Sequence, residues 1–224
     1  MRDRSFFSRW LHRLRSSERP TPARREALST ETLEAEGVSW LVVGLGNPGP
    51  RYEATRHNVG AMAIDDLLAV NGDLLRPVSG LPCQVARVEW DGVPVLLVRP
   101  TTFMNNSGEA IGPLARALGV PAERVIVAHD ELDLPFGTVK LKQGGNENGH
   151  NGLKSTSGAL GTRDYLRIRI GIGRPPRGTS VPDYVLGPVD SGATLDELIA
   201  RAAEGARLIV TEGLAKAQNR IHSR

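Results

Sequence analysis

One cysteine, Cys83, in 224 residues leaves no partner for an internal disulfide and too few thiols for a Cys-based metal site. No stretch of 18 consecutive apolar residues occurs, so the sequence offers no transmembrane helix. The N-terminal stretch is too short in apolar residues and too rich in arginine for a signal-peptide core. Internal repeats and low-complexity tracts are lacking. The G-x-x-x-x-G-K-[ST] phosphate loop is missing too, for the one glycine-rich run, Gly144–Lys154, has other residues at those places. Together these absences read as a cytoplasmic globular protein.

The balance of 40% hydrophobic and 24% charged residues is that of a soluble domain able to bury a core unaided. The net charge of +3 is unevenly spread. Residues 1–25 hold eight arginines against Asp3 and Glu18, a net +6, so the remainder carries −3. Within that remainder, residues 138–177 hold eight basic residues against Glu147 and Asp164, again +6. Such segregation suits a face built for a polyanion; the plainer reading is solvated loops and strand faces.

Residues 1–37 read as a basic, flexible N-terminal extension. Phe6, Phe7, Trp10, Leu11 and Leu14 recur at helical spacing among arginines, and 16–37 is polar with prolines, as a linker is. Residues 38–224 read as one α/β domain with a twisted mixed sheet and helices on both faces. Trp40–Gly44 is a buried strand, residues 60–70 a helix, and Asp91-Gly92 turns a hairpin between 84–90 and 93–98. A helix follows over 108–118, a strand over 125–128, strands over 138–142 and 165–172, and a helix from 195 onward. In the 165–172 strand, period two sets Leu166, Ile168, Ile170 and Ile172 toward the core, and Tyr165, Arg167 and Arg169 to the other side with Lys140 and Lys142.

Gly44-Leu45-Gly46-Asn47-Pro48-Gly49 follows a strand and matches G-x-G-x-x-G. A dinucleotide loop opens a helix at once, with its N–H groups on a pyrophosphate. Here Pro48 removes an N–H, Pro50 follows, and the next helix starts near Asn58. A nucleotide-dependent oxidoreductase is therefore set aside. What remains is a rigid turn at the carboxyl end of a central strand, with Asn47 offering a donor and an acceptor. His57 at a loop–helix junction can be a general base or a cap. Pro100–Gly108 offers Phe103 and Asn105 ahead of a helix that Asn106 or Ser107 could cap. His129-Asp130-Glu131-Leu132-Asp133 ends a strand with three carboxylates, able to orient a histidine, bind a cation or simply face water. Gly144–Lys154 reads as a mobile loop that delivers Asn151.

The segments GLGNPGPRYEATRHNVG, RPTTFMNNSG, VAHDELDLPFG and GHNGLK, in this order, resemble the bacterial peptidyl-tRNA hydrolase family; YLRIRIGIGRP and GLAKAQNR fit as well. The likeness spans roughly residues 40–222. It implies hydrolysis of the ester between a peptide and the 3′ ribose of tRNA, which recycles tRNA from stalled ribosomes. It implies His57 as general base, Asp130 as the group that orients it, and Asn47 on the peptide side. It further implies Asn105 and Asn151 on the substrate, Tyr52 and Phe103 around the terminal adenosine, and Lys142 and Arg169 on tRNA phosphates. The implied partner is tRNA, the implied state a monomer, and no metal or cofactor is implied. Two features depart from the family pattern: Asn146-Glu147-Asn148 stiffens the glycine loop and adds an anion near the tRNA path, and residues 1–37 are additional. The rival reading is a non-catalytic RNA-binding protein on the same fold, as in plant splicing factors that resemble these enzymes.

Overall fold

The structure, a computed structural model, describes residues 26–223. Seven strands form one sheet: β1 (Trp40–Gly44), β2 (Arg76–Val78), β3 (Leu81–Trp90), β4 (Val93–Pro100), β5 (Val125–Glu131), β6 (Val139–Gln143) and β7 (Leu166–Gly171). Their order is β2-β3-β4-β1-β5-β7-β6. The four central strands β4, β1, β5 and β7 run parallel, and the outer ones pair antiparallel. The helices are α1 (Thr30–Ala35), α2 (Val59–Asn71), α3 (Gly108–Ala117), α4 (Asn151–Leu160), α5 (Val181–Leu186), α6 (Ala193–Glu212) and α7 (Leu214–His222).

Parallel strands need both faces covered. One core joins the sheet to α2, α6 and α7 through Met62, Ile64, Leu198, Ile199 and Ile221. The other joins it to α1, α3 and α4 through Leu33, Ile111, Leu114 and Leu153. Among the described residues no helix is long and apolar enough to cross a membrane.

Two readings of the sequence change at this level. The segment taken as the end of a linker is built onto the sheet. Leu28 bridges Val78 in parallel, its N–H donating to the Pro77 carbonyl at 2.9 Å while its own carbonyl accepts from Ser79 at 2.8 Å. Ser29 caps α1 by accepting from the Thr32 N–H, and Leu33 is fully buried. Two apolar residues in a polar run give too little periodicity to announce a helix, yet one of them is enough to anchor it. Residues 1–25, the arginine-rich part of the proposed extension, lie outside the described residues. The second change is at the C-terminus, where the long helix breaks at Gly213 (φ +84°) and α7 turns back onto edge strand β6. There the Leu141 N–H donates to His222 Nε2 at 2.8 Å, and Gln218 donates to the Leu141 carbonyl at 3.0 Å. Side chains thus satisfy an edge that would otherwise be open for pairing.

The glycines of the 44–60 segment bring α2 close to the sheet. A Cβ on Gly60 would collide with the Ala128 carbonyl, and one on Gly44 with the Gly60 carbonyl. The pattern that mimics a dinucleotide loop is therefore a packing device. It sets the start of α2 directly over the carboxyl ends of β1 and β5.

Candidate active site

β5 is buried along its whole length, and Asp130 at its end is 4% exposed. His57 sits in a single 3₁₀ turn, Arg56–Asn58, immediately before α2. Its Nδ1 lies 2.8 Å from Asp130 Oδ1. A second imidazole meets the same oxygen, with His150 Nε2 at 2.9 Å. His150 also caps α4, its Nδ1 accepting from the Leu153 N–H at 3.3 Å. Burial alone would push the Asp130 carboxyl up, but the charges and hydrogen bonds of His150 and His57 outweigh it and hold the group well below the carboxylate range.

These bonds fix the tautomers. An ionised carboxylate only accepts, so His57 donates from Nδ1 and His150 from Nε2. His150 then has both ring nitrogens committed. His57 Nε2 makes no hydrogen bond among the described residues, and His57 lines the cleft. Of the two imidazoles, only His57 can accept a proton from a ligand without first breaking a bond to the protein.

Asn47 follows β1 and is 7% exposed. Asn58 holds its backbone at both ends, accepting from the Asn47 N–H at 2.8 Å and donating to the Asn47 carbonyl at 2.9 Å. The side-chain oxygen of Asn47 accepts from the Met104 N–H at 2.8 Å. The sequence offers this amide as donor and acceptor alike; the fold uses the acceptor, and Nδ2 is what a ligand meets.

The cleft has a volume of about 620 Å³. Asn47, His57, Asn105, Asp130, His150 and Asn151 line it, with Met104 and Leu132 apolar beside them. Val181, Pro182, Val185 and Leu186 of α5 form a second apolar wall. Tyr52 and Phe103 are not among the lining residues; they pair edge to face at 6.2 Å, with Phe103 57% exposed one residue before Met104. Lys142 and Arg169 also lie outside the cleft. Lys142 is exposed on β6, while Arg169 donates from Nε to Glu131 at 2.9 Å. Glu131 lines the cleft, so that pair joins the two regions.

Three expectations need correction. Arg167 does not join an outward row of cations: it is 2% exposed, because its guanidinium turns under the glycine loop to the carbonyls of Gly145 and Asn146. Glu147 adds no bare anion, since Arg163 donates to it at 2.7 Å and holds its carboxyl down to about 2. The run 144–154 is not a plain loop, for α4 begins at Asn151. Sequence reasoning missed His150 and Asn58, and it named Glu131 only as one of three carboxylates, without its pair to Arg169. For His150 a signal existed: it stands directly before a helix start, where a histidine can cap.

His57, Asp130 and His150 also have metal-ligand spacing, with donor atoms within 4.8 Å of one another. Both ring nitrogens, however, sit at hydrogen-bond distance from one carboxylate oxygen, which accounts for the grouping without a cation. His129, next in the strand, is 2% exposed; burial, then the neighbouring His150, pull it down to about 3, so it stays neutral.

The sequence model of the family described as peptidyl-tRNA hydrolase matches residues 41–224. The chain is 56% identical over 200 residues to peptidyl-tRNA hydrolase 2 of Corynebacterium glutamicum, covering 89% of this chain and 95% of that protein. It is 49% identical over 184 residues to peptidyl-tRNA hydrolase of Rhodococcus jostii, covering 81% and 97%. Its fold is similar to the crystal structure of peptidyl-tRNA hydrolase from Acinetobacter baumannii, with a TM-score of 0.76 at 35% identity over 83% of this chain and 94% of that one. Every segment that shapes the cleft lies inside the matched region, and the chain belongs to the peptidyl-tRNA hydrolase family.

Proposed function

We propose that this enzyme cleaves the ester between a peptide and the 3′ ribose of tRNA with His57 as its general base. The observation that carries the reading is the His57–Asp130 bond of 2.8 Å, which leaves the far ring nitrogen basic in a cleft with room for the ester. His57 Nε2 takes a proton from water, and the hydroxide attacks the ester carbonyl. Asp130 holds the ring in its tautomer and stabilises the imidazolium that forms. The same proton then passes to the departing ribose oxygen. Asn47 Nδ2, fixed by the bonds to Met104 and Asn58, is the donor best held for the peptide carbonyl or its developing oxyanion. Asn105 and Asn151 line the same space as further substrate contacts.

Tyr52 and Phe103 offer faces on which the terminal adenosine stacks. Lys142 and Arg169 contact phosphate and give affinity without sequence choice. No metal enters this scheme. The enzyme works as a single chain in the cytoplasm, where its substrate is made. The RNA-binding reading finds no support: the relatives are named as hydrolases, and the His57–Asp130 bond favours the proton transfer that hydrolysis needs.

The deciding assay is release of an N-acetylated amino acid from tRNA, with unblocked aminoacyl-tRNA as control. Only the blocked substrate should turn over, and His57→Ala should lower kcat about 10²–10⁴-fold. Full turnover by His57→Ala would remove the assignment of the base. Tight tRNA binding without turnover by the unmodified enzyme would restore the RNA-binding reading.

A further inference from the structure

Arg167 is the most deeply buried cation on β7, and neither the proton relay nor the phosphate contacts use it. Its hydrogen bonds go to carbonyls and not to carboxylates: Nη1 donates to Asn146 at 2.7 Å and Nη2 to Gly145 at 2.8 Å. The guanidinium face lies over the Tyr165 ring, 4.6 Å from its centre. Burying an arginine is costly unless its donors are met, and here the backbone of one loop takes one bond from each Nη while Nε is buried without a hydrogen-bond partner.

That loop is shaped for the contact. Gly144 and Gly145 have φ of +63° and +98°, which turn the chain sharply as it leaves β6. The Lys142 side chain lies against Gly145, where a Cβ would collide with its Nζ. One residue beyond the gripped carbonyls, Glu147 accepts from the His150 N–H at 2.8 Å and is itself tied to Arg163. His150 then reaches Asp130. Three bonded steps therefore separate the buried guanidinium from the carboxylate that orients His57.

We infer that Arg167 is a positioning residue for the hydrolytic centre: its two-carbonyl grip on Gly145 and Asn146 sets the 144–150 loop so that His150 meets Asp130. This rests on the reading of His57 and Asp130 given above. It assigns Arg167 a role opposite to that of an arginine on an RNA-facing strand. With Nη1 and Nη2 each bonded to the loop, Nε buried and the residue 2% exposed, the side chain is withheld from a phosphate in solution.

The test is a kcat against KM comparison. Arg167→Lys keeps the charge but cannot bridge two carbonyls with a planar fork. It should lower kcat about 10–100-fold, as a small misplacement of the reacting groups from a distant change does. KM for N-acetyl-aminoacyl-tRNA, Kd for uncharged tRNA and the salt dependence of that Kd should stay as in the unmodified enzyme. In a His150→Ala background the same change should cost less than about 2-fold, because the path it acts through is already cut. Arg167→Met removes the buried charge instead of stranding it and supplies a second, separately folding variant for the same measurements. A raised Kd with a shallower salt dependence and intact kcat would make Arg167 a phosphate ligand. Equal losses with and without His150 would show that it acts elsewhere, and failure of both variants to fold would make it a core residue; each overturns the inference. An unmodified enzyme inactive on the blocked substrate would instead strike the underlying reading.

Discussion

Asp130 accepts from two imidazoles through one oxygen, and as an ionised carboxylate it also brings a negative charge to them. An asparagine there still presents an oxygen but carries no charge to balance an imidazolium. Asp130→Asn should therefore cut kcat about 10²–10⁴-fold with little change in KM. His129 gives a prediction on stability. Its folded value of about 3 lies below the ordinary histidine value, so between about pH 6.5 and 3 the unfolded chain binds a proton that the folded one does not. Stability contributed by the neutral ring is then lost as pH falls through that window, by about 1.4 kcal/mol per unit. Urea titrations from pH 6 to 4 should show a slope reduced by about that amount in His129→Gln. An unchanged slope would mean that the buried ring does not set acid lability. The residues of the relay were partly legible. His57 and Asp130 stand in segments whose composition already suggests chemistry. His150 was hidden by its neighbours, since in a glycine-rich run the eye goes to the amide of Asn151, and nothing in the sequence says that a cap can also reach across to β5.

At the scale of elements, the segment before β1 behaves as part of the domain. Leu33 is fully buried between α1 and the core shared with α3. Leu33→Ala should lose about 2–5 kcal/mol in urea unfolding, the range for a buried leucine. A loss within about 0.5 kcal/mol would show α1 to be an ornament. Leu28 ties this segment to β2, three strands away from β1 at the cleft, so kcat of the folded variant should be unchanged. The larger elements were legible because periodicity is strong where a strand or helix is half buried. The buried strand at 125–128, the 84–98 hairpin and the helix at 108 all follow from runs and turn residues. Where the pattern misled was β7. Period two correctly sets Arg167 opposite the aliphatics, but the face it occupies is roofed by a loop, and alternation does not report what lies above a sheet.

For the whole molecule the electrostatics are more modest than the charge count implies. Of the eight basic residues in 138–177, Arg163, Arg169 and Arg174 are paired with Glu147, Glu131 and Asp133, and Arg167 is buried. Within that segment Lys140, Lys142, Lys154 and Arg177 are left to displace counterions. We expect log Kd for tRNA to change with log salt by about 2–4, not by the 6–7 that eight phosphate contacts would give. Lys142→Ala should reduce that slope by about 1 and raise KM while sparing kcat. The mixed sheet with helices on both faces was legible from the alternation of strand and helix signals. The strand order was not, because pairing between distant segments leaves no mark in local composition.

The sheet order carries one more consequence. Glu26, where the described chain begins, is held by Arg76 at the start of β2, whereas Lys142 is on β6. Six inter-strand steps of about 4.8 Å lie between those strands, roughly 29 Å. The eight arginines that precede Glu26 are therefore rooted a full sheet width from the strand that carries Lys142. Any grip they exert is tethered at that remove, beyond the edge of the sheet opposite β6.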